Sequence, residues 1–139
     1  MPRTVVLRHD LPDGSHHYDW LIEPMGSAAA AADDDAMADP DRRELIAWRL
    51  PHPPDGAAES SMTADRLPPH RRRYLDYEGP ISGGRGSVRR ISSGEAEVLT
   101  DSADRFEARG RMADRAFSMA AAPAAEPGTS AWRLTVTWD

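Results

Sequence analysis

The sequence predicts a mainly β protein: a small closed or nearly closed β-barrel of about eight strands with little helix. Three observations carry that expectation. Apolar and polar residues alternate over residues 4–9, 17–23 and 132–138, the two-residue period of a half-buried strand. Twelve prolines and ten glycines interrupt 139 residues, which leaves no room for long helices. The strand-like runs are short and closely spaced, with no internal repeat, as in one small domain over residues 1–139.

Thr4-Val-Val-Leu-Arg-His9 is the first strand, with Val5, Leu7 and His9 on one face. Asp10-Leu-Pro-Asp-Gly14 supplies turn residues. The chain returns through His17-Tyr-Asp-Trp-Leu-Ile-Glu23, with faces His17, Asp19, Leu21, Glu23 and Tyr18, Trp20, Ile22. Residues 25–43 are rich in Ala and Asp and are expected to form a mobile loop. Leu45-Ile-Ala-Trp-Arg-Leu50 is a strand stopped by Pro51, and 52–65 reads as a second mobile loop. A short strand is expected at 73–77, then a turn-dense stretch over 78–86. Further strands are expected around 87–91, 95–99, 105–111 and 115–119, and a small-residue loop over 120–130. Trp132, Leu134, Val136 and Trp138 mark a closing strand. The four tryptophans are read as core residues.

Composition excludes several chemistries. Without cysteine there can be no disulfide, zinc-thiolate site or thiol nucleophile. All 17 basic residues are arginine, so lysyl adenylation, Schiff-base chemistry and a P-loop are excluded. A net charge of −6 disfavours nonspecific duplex binding, although residues 66–90 form a locally basic stretch. The start, Met1-Pro-Arg-Thr-Val-Val6, lacks the apolar run of a secretory leader. No stretch approaches the ~18 apolar residues of a membrane span. The expectation is a cytoplasmic protein with no membrane contact.

The residues that can carry chemistry fall into two groups. His17 and Asp19 share a strand face, and a hairpin neighbour would bring His9 beside them. Two imidazoles and one carboxylate form a facial set that suits Mn²⁺ or Zn²⁺ acting on a phosphoryl group. Ordinary hydrogen-bonding histidines on a strand surface would give the same pattern. The second group is His70 and Tyr74, beside Arg71, Arg72 and Arg73; it reads as an anion-binding pair or as a solvated basic turn. Gly79, Gly83, Gly84 and Gly86 read as a tight hairpin or as a phosphate cradle.

Taken in order, these pieces resemble the 3′-phosphoesterase module of bacterial DNA ligase D, which trims 3′ ends during repair. The family has a strand ending in histidine and a His-Tyr-Asp strand; here they are Val5-Val-Leu-Arg-His9 and His17-Tyr18-Asp19. Its Ser-Trp-Ala-Val-Pro-Lys-Gly corresponds to Ala47-Trp-Arg-Leu-Pro-His-Pro53. Its His-Pro-x-x-Tyr-x-x-Phe-Glu-Gly corresponds to His70-Arg-Arg-Arg-Tyr74-Leu-Asp-Tyr-Glu-Gly79, and a glycine-rich hairpin follows at Ile81-Ser-Gly-Gly-Arg-Gly86. The closing strands match at 106–119 and 132–138, so the resemblance spans nearly the whole chain. It implies a compact β-barrel, His9, His17 and Asp19 as metal ligands, and His70 and Tyr74 on the phosphate side. The expected cofactor is Mn²⁺ (or Zn²⁺).

The chain departs from the family at Leu21, where the family has an arginine two residues after the metal-binding aspartate on the same strand face, at His52 in place of lysine, and at Pro68 in place of an acid. Two residues are added before His17, so His16 rivals it by spacing. The module is expected as a free-standing member. Two functions follow. One is a metal-dependent phosphoesterase acting on nucleic-acid 3′ ends or a small phosphoester, with Arg49 or Arg85 helping His70 and Tyr74 to stabilise charge. The other is a noncatalytic module that keeps the metal and binds a nucleic-acid end or a repair-protein partner. Because position 21 shares the face of Asp19, Leu21→Arg is expected to raise the rate.

Overall fold

Uninterrupted apolar runs and alternating runs fold into two kinds of strand. The computed structural model describes residues 2–24, 41–54, 59–124 and 131–139. The strands are β1 (Arg3–Asp10), β2 (His16–Ile22), β3 (Arg43–Leu50), β4 (Glu59–Arg71), β5 (Gly79–Pro80), β6 (Ser87–Asp101), β7 (Phe106–Met112), β8 (Arg115–Pro123) and β9 (Ala131–Trp138). All pairings are antiparallel, in the order β1-β2-β3-β4-β9-β8-β7-β6-β5, and β1 also pairs with β6. Eight strands therefore close into a ring, with β5 attached outside it.

The two longest strands make the corners. β4 pairs with β9 through residues 59–65 and with β3 through residues 65–71. β6 pairs with β1 through residues 87–95 and with β7 through residues 94–101. A strand that changes neighbours midway turns one sheet into the other. The interior cluster includes Trp20, Trp48, Phe106, Met119, Leu134 and Val136, all nearly inaccessible. β7, β8 and β9 contribute alternate residues to it and leave the others to solvent.

β1, β2 and β3 are buried on both faces and not half-buried as expected, so the alternation expected over 4–9 and 17–23 gives way to the continuous apolar runs Val5-Val-Leu7 and Trp20-Leu-Ile22, as in Leu45-Ile-Ala-Trp48. Their outer face carries a second cluster of Val5, Leu7, Leu21, Leu45, Ala47, Leu75 and Val88, with Leu67, Tyr74, Tyr77 and Ile81 packed against it. A 3-10 turn over Arg72–Leu75 caps this face. It is held by Arg72, which donates to Glu23 Oε2 and, at 2.9 Å, to Glu44 Oε1. Arg3 donates to Asp76 Oδ1 at 2.6 Å and to the Leu75 carbonyl at 3.3 Å.

Several expected elements differ. Residues 73–77 hold the 3-10 turn rather than a strand, because Arg72 and Leu75 are drawn inward by the buried carboxylates and the second cluster. The strands expected at 87–91 and 95–99 are one, β6. Residues 59–65 belong to β4 rather than to a loop, with Met62 and Ala64 in the core. Pro68 and Pro69 lie within β4, where the ladder skips from Ala47↔Leu67 to Leu45↔His70. That bulge accommodates residues without a donor. Residues 120–123 continue β8. Arg43 already belongs to β3. Residues 41–42, 52–54 and 124 lie outside strands as expected, and the rest of the expected loops, at 25–40, 55–58 and 125–130, lies outside the described residues. Among those described, no helix is long and apolar enough to cross a membrane.

The Arg3–Asp76 pair gives a first expected result. The Arg3 guanidinium holds the Asp76 carboxyl below its usual value of 3.8. The side chains are 45% and 71% exposed, so solvent screening limits the pair to less than about 1 kcal/mol. Asp76→Ala should cost less than that at pH 7. A lowered folded-state pKa means that the contribution is full above the unfolded value and is lost as pH falls through the folded one. Thermal melts of variant and wild type should therefore converge below about pH 4.

Candidate metal centre

The β1–β2 hairpin places three donors together. His9 and His17 are directly opposed in the register, and Asp19 lies two residues beyond His17 on the same face. His9 Nδ1 is 3.2 Å from His17 Nε2 and 3.8 Å from Asp19 Oδ2. His17 Nε2 is 3.3 Å from Asp19 Oδ1. One ligand atom from each residue can be chosen with all three inside 4.8 Å of one another. Donors each about 2.1 Å from a common ion would sit roughly 3–3.5 Å apart. This face lies outside the ring, on the side covered by the 3-10 turn. His16 occupies the other face, opposite Asp10 and edge-on to Tyr18 at 5.6 Å, so it is not a rival ligand.

Two local details fit a cation. His9 Nε2 lies 2.8 Å from the Arg85 carbonyl oxygen, which can only accept. Nε2 therefore carries the proton, and the Nδ1 lone pair faces His17 and Asp19; such an outer partner fixes ring and tautomer in metal-ligating histidines. Asp19 is 5% exposed, and its Oδ1 receives no hydrogen bond. The contact with His17 Nε2 is close but does not have hydrogen-bond geometry. A buried carboxylate oxygen without a donor is costly, and a cation held by His9, His17 and Asp19 would satisfy it.

Gly86 positions the Arg85 carbonyl. It has φ +93°, and a Cβ there would lie 1.9 Å from the Asp10 carbonyl oxygen, so only glycine lets the β5–β6 hairpin lie against the end of β1. The glycines of 79–86 thus serve a tight hairpin that buttresses His9.

His9 and Asp19 form one end of a cleft of about 280 Å³. Leu7, Ile81 and Val88 supply its apolar lining. Arg49, His70, Tyr74 and Arg85 also line it, so the sequence-predicted residues meet in one place, with His17 behind His9. Arg49 is directly across from Asp19 in the β2–β3 register and across from Asp65 in β4. His70 Nδ1 is 3.1 Å from the Pro68 carbonyl and donates to it, which leaves Nε2 unprotonated in the neutral ring. The His70 and Tyr74 rings stand 6.4 Å apart. The Arg85 guanidinium is turned back onto Ser82, at 2.8 Å to its carbonyl and 3.3 Å to its Oγ. The Arg49 side chain has no hydrogen bond or ion pair among the described residues, so it is the freer of the two cations.

Other residues lie elsewhere than the sequence suggests. Leu21 shares the face of Asp19 but is fully buried in the second cluster, which also holds Leu75, and does not line the cleft. His52 is exposed beyond the end of β3 and is no part of the site. The basic stretch 66–90 is partly internal. Arg72 is buried with Glu23 and Glu44, and Arg66 pairs with Asp101 at 3.1 Å while stacking 5.2 Å from the Trp48 ring centroid. Sequence reasoning missed Arg43 as a cleft residue and did not single out Arg71 within its basic run. The signal for Arg43 was its parity with Arg49 on β3.

No protein-family model matches the chain, and no curated protein matches it.

Proposed function

We propose that the protein is a metal-dependent phosphoesterase acting on nucleic-acid 3′ ends or related phosphoesters, built on a barrel of the kind found in the ligase D phosphoesterase module. The observation that carries this reading is the buried, unsatisfied Asp19 Oδ1 between two histidines at the end of a cation-lined cleft. His9 Nδ1, His17 Nε2 and an Asp19 oxygen would hold Mn²⁺ (or Zn²⁺). When bound, such an ion polarises a phosphoryl oxygen and lowers the pKa of a coordinated water.

The chain's own groups supply the rest. Arg49 offers a planar fork of donors beside Asp19, suited to two phosphoryl oxygens at once. Tyr74 can donate its hydroxyl hydrogen to a third. His70 Nε2 can hold a proton when the ring is charged and give it to a departing oxygen. In the resemblance, the family's arginine on β2 is Leu21 here, and the family's alanine after tryptophan is Arg49. The cation beside the metal-binding aspartate has in effect moved one strand across.

The test is hydrolysis of a 3′-phosphate-ended and a 3′-ribonucleotide-ended primer with Mn²⁺. Wild type should turn over at least one of them. Arg49→Gln should lower kcat/KM roughly 10- to 100-fold, the loss of one or two charge-assisted hydrogen bonds, with Mn²⁺ affinity unchanged. Metal binding with no turnover of either primer would favour a noncatalytic module that retains the ion and binds a nucleic-acid end.

A further inference from the structure

The hairpin between β5 and β6 meets His9 through its main chain. His9 Nε2 donates to the Arg85 carbonyl oxygen at 2.8 Å, while the Arg85 guanidinium is bonded back to Ser82 within the hairpin. A double pairing at the start of β6 holds that carbonyl in place. Ser87 and Val88 pair with Asp10 and His9 of β1 on one side, and with Pro80 and Gly79 of β5 on the other. The Ile81 N–H closes the turn by donating to the Gly86 carbonyl at 2.7 Å. Gly86 is the point of closest approach to β1. Besides the Asp10 carbonyl oxygen, a Cβ there would crowd the Asp10 carbonyl carbon at 3.0 Å and the Leu11 Cα at 3.1 Å. These are backbone atoms, which cannot rotate aside as the end of a side chain can. A methyl group at 86 therefore pushes the hairpin off β1 and takes the Arg85 carbonyl with it. Gly84, in the same turn, also has a positive φ of +68°, but a Cβ there would meet nothing within 4 Å.

We propose that Gly86 is a positioning residue for the metal centre, and that Arg85 serves that centre through its carbonyl rather than its guanidinium. This rests on the reading of His9, His17 and Asp19 as a metal site. The β1–β2 register sets where the His9 backbone lies, but not which ring nitrogen is bare or where its lone pair points. A fixed acceptor at Nε2 settles both. Without it the ring can take the other tautomer, with a proton where the ligand lone pair belongs. The consequence is an inversion of what side-chain chemistry suggests. One methyl group added at Gly86, which is no ligand, weakens the metal. Removal of the whole Arg85 side chain does not.

The test uses the full chain at pH 8, with nitrogen NMR of the imidazole rings in the metal-free protein and calorimetric titration with Mn²⁺. Wild-type His9 should carry its proton on Nε2. Gly86→Ala should lose that preference and bind Mn²⁺ about 10- to 100-fold more weakly. Gly84→Ala has the left-handed strain without the collision, so it should keep the tautomer and stay within about threefold in affinity. Arg85→Ala should keep the tautomer and bind Mn²⁺ at least as tightly as wild type, since only a nearby cation is lost. Ile81→Pro, which removes the N–H that closes the turn, should give both losses in milder form and stands in if Gly86→Ala does not fold. A purely structural role would lower the melting temperature and leave the His9 signals as they are. Wild-type His9 protonated on Nδ1 overturns the proposal. So does a folded Gly86→Ala with wild-type affinity, or an Arg85→Ala that binds as weakly as Gly86→Ala. A wild type that holds the Nε2 tautomer but binds no Mn²⁺ removes the metal reading itself, and the positioning role falls with it. The expected affinities without primer hydrolysis support the proposal and assign it to a noncatalytic module.

Discussion

Asp19→Ala should lower Mn²⁺ affinity by more than about 100-fold and bring phosphoester hydrolysis below detection, while the metal-free fold is kept. Even an outer partner of a metal ligand is worth roughly 10- to 100-fold in affinity. Asp19 would be a direct ligand and the only negative charge in the set. His9 and His17, directly opposed on β1 and β2, would remain as two neutral donors. In the metal-free protein Asp19 Oδ1 is buried without a donor, so removing the carboxylate relieves a cost instead of breaking a bond. At pH 8 the metal-free variant should melt no lower than wild type. Excess Mn²⁺ should stabilise wild type by about 2.7 kcal/mol at a hundred times Kd and leave the variant unmoved. Titration calorimetry with paired melts reads both effects. Wild-type-like Mn²⁺ binding by Asp19→Ala would remove the metal centre.

The donor set was legible because its geometry is local. A two-residue period and one hairpin suffice to bring His9, His17 and Asp19 together, and the register bears this out. The closing strand was legible for the same reason, since Leu134, Val136 and Trp138 follow the alternation. What escaped depends on contacts distant in sequence. Arg72 sits in a run of three arginines that reads as solvated, yet Glu23 and Glu44, 49 and 28 residues away, draw it inside. That pairing bends the chain into a 3-10 turn where a strand was expected. β4 was hidden by its own composition. Ser60, Ser61, Pro68 and Pro69 suggest a loop, and only the bulged ladder with β3 reconciles two prolines with a strand. Arg43 gave little signal by itself, because only the pairing with β4 brings it to the cleft that it shares with Arg71.

Leu21→Arg shows how one buried contact reverses an expectation. Strand parity places residue 21 on the face of Asp19, which suggests that an arginine there would reach the phosphate. That face, however, changes character along β2. Asp19 borders the cleft, whereas Leu21 is fully buried in the cluster that holds Val5, Leu45, Ala47 and Leu75. The acids next along that face, Asp19 and Glu23, are committed to the proposed metal and to Arg72, so an arginine at 21 has no free acid beside it. It would bury an unpaired guanidinium or force the 3-10 turn off the sheet, and a buried uncompensated charge costs about 3–5 kcal/mol. For a chain of this size that lowers Tm by roughly 10 °C or more. Leu21→Met, which keeps the volume, should cost less than about 1.5 kcal/mol. Turnover should fall with the folded fraction in Leu21→Arg and should not rise, because Arg49 already occupies the open position opposite Asp19. The comparison needs chemical denaturation of the three proteins and primer hydrolysis measured well below the lowest Tm. A Leu21→Arg protein that melts within a few degrees of wild type and turns over faster would mean that Leu75 and its turn lift readily from the sheet. The cation site would then extend under them rather than end at Arg49.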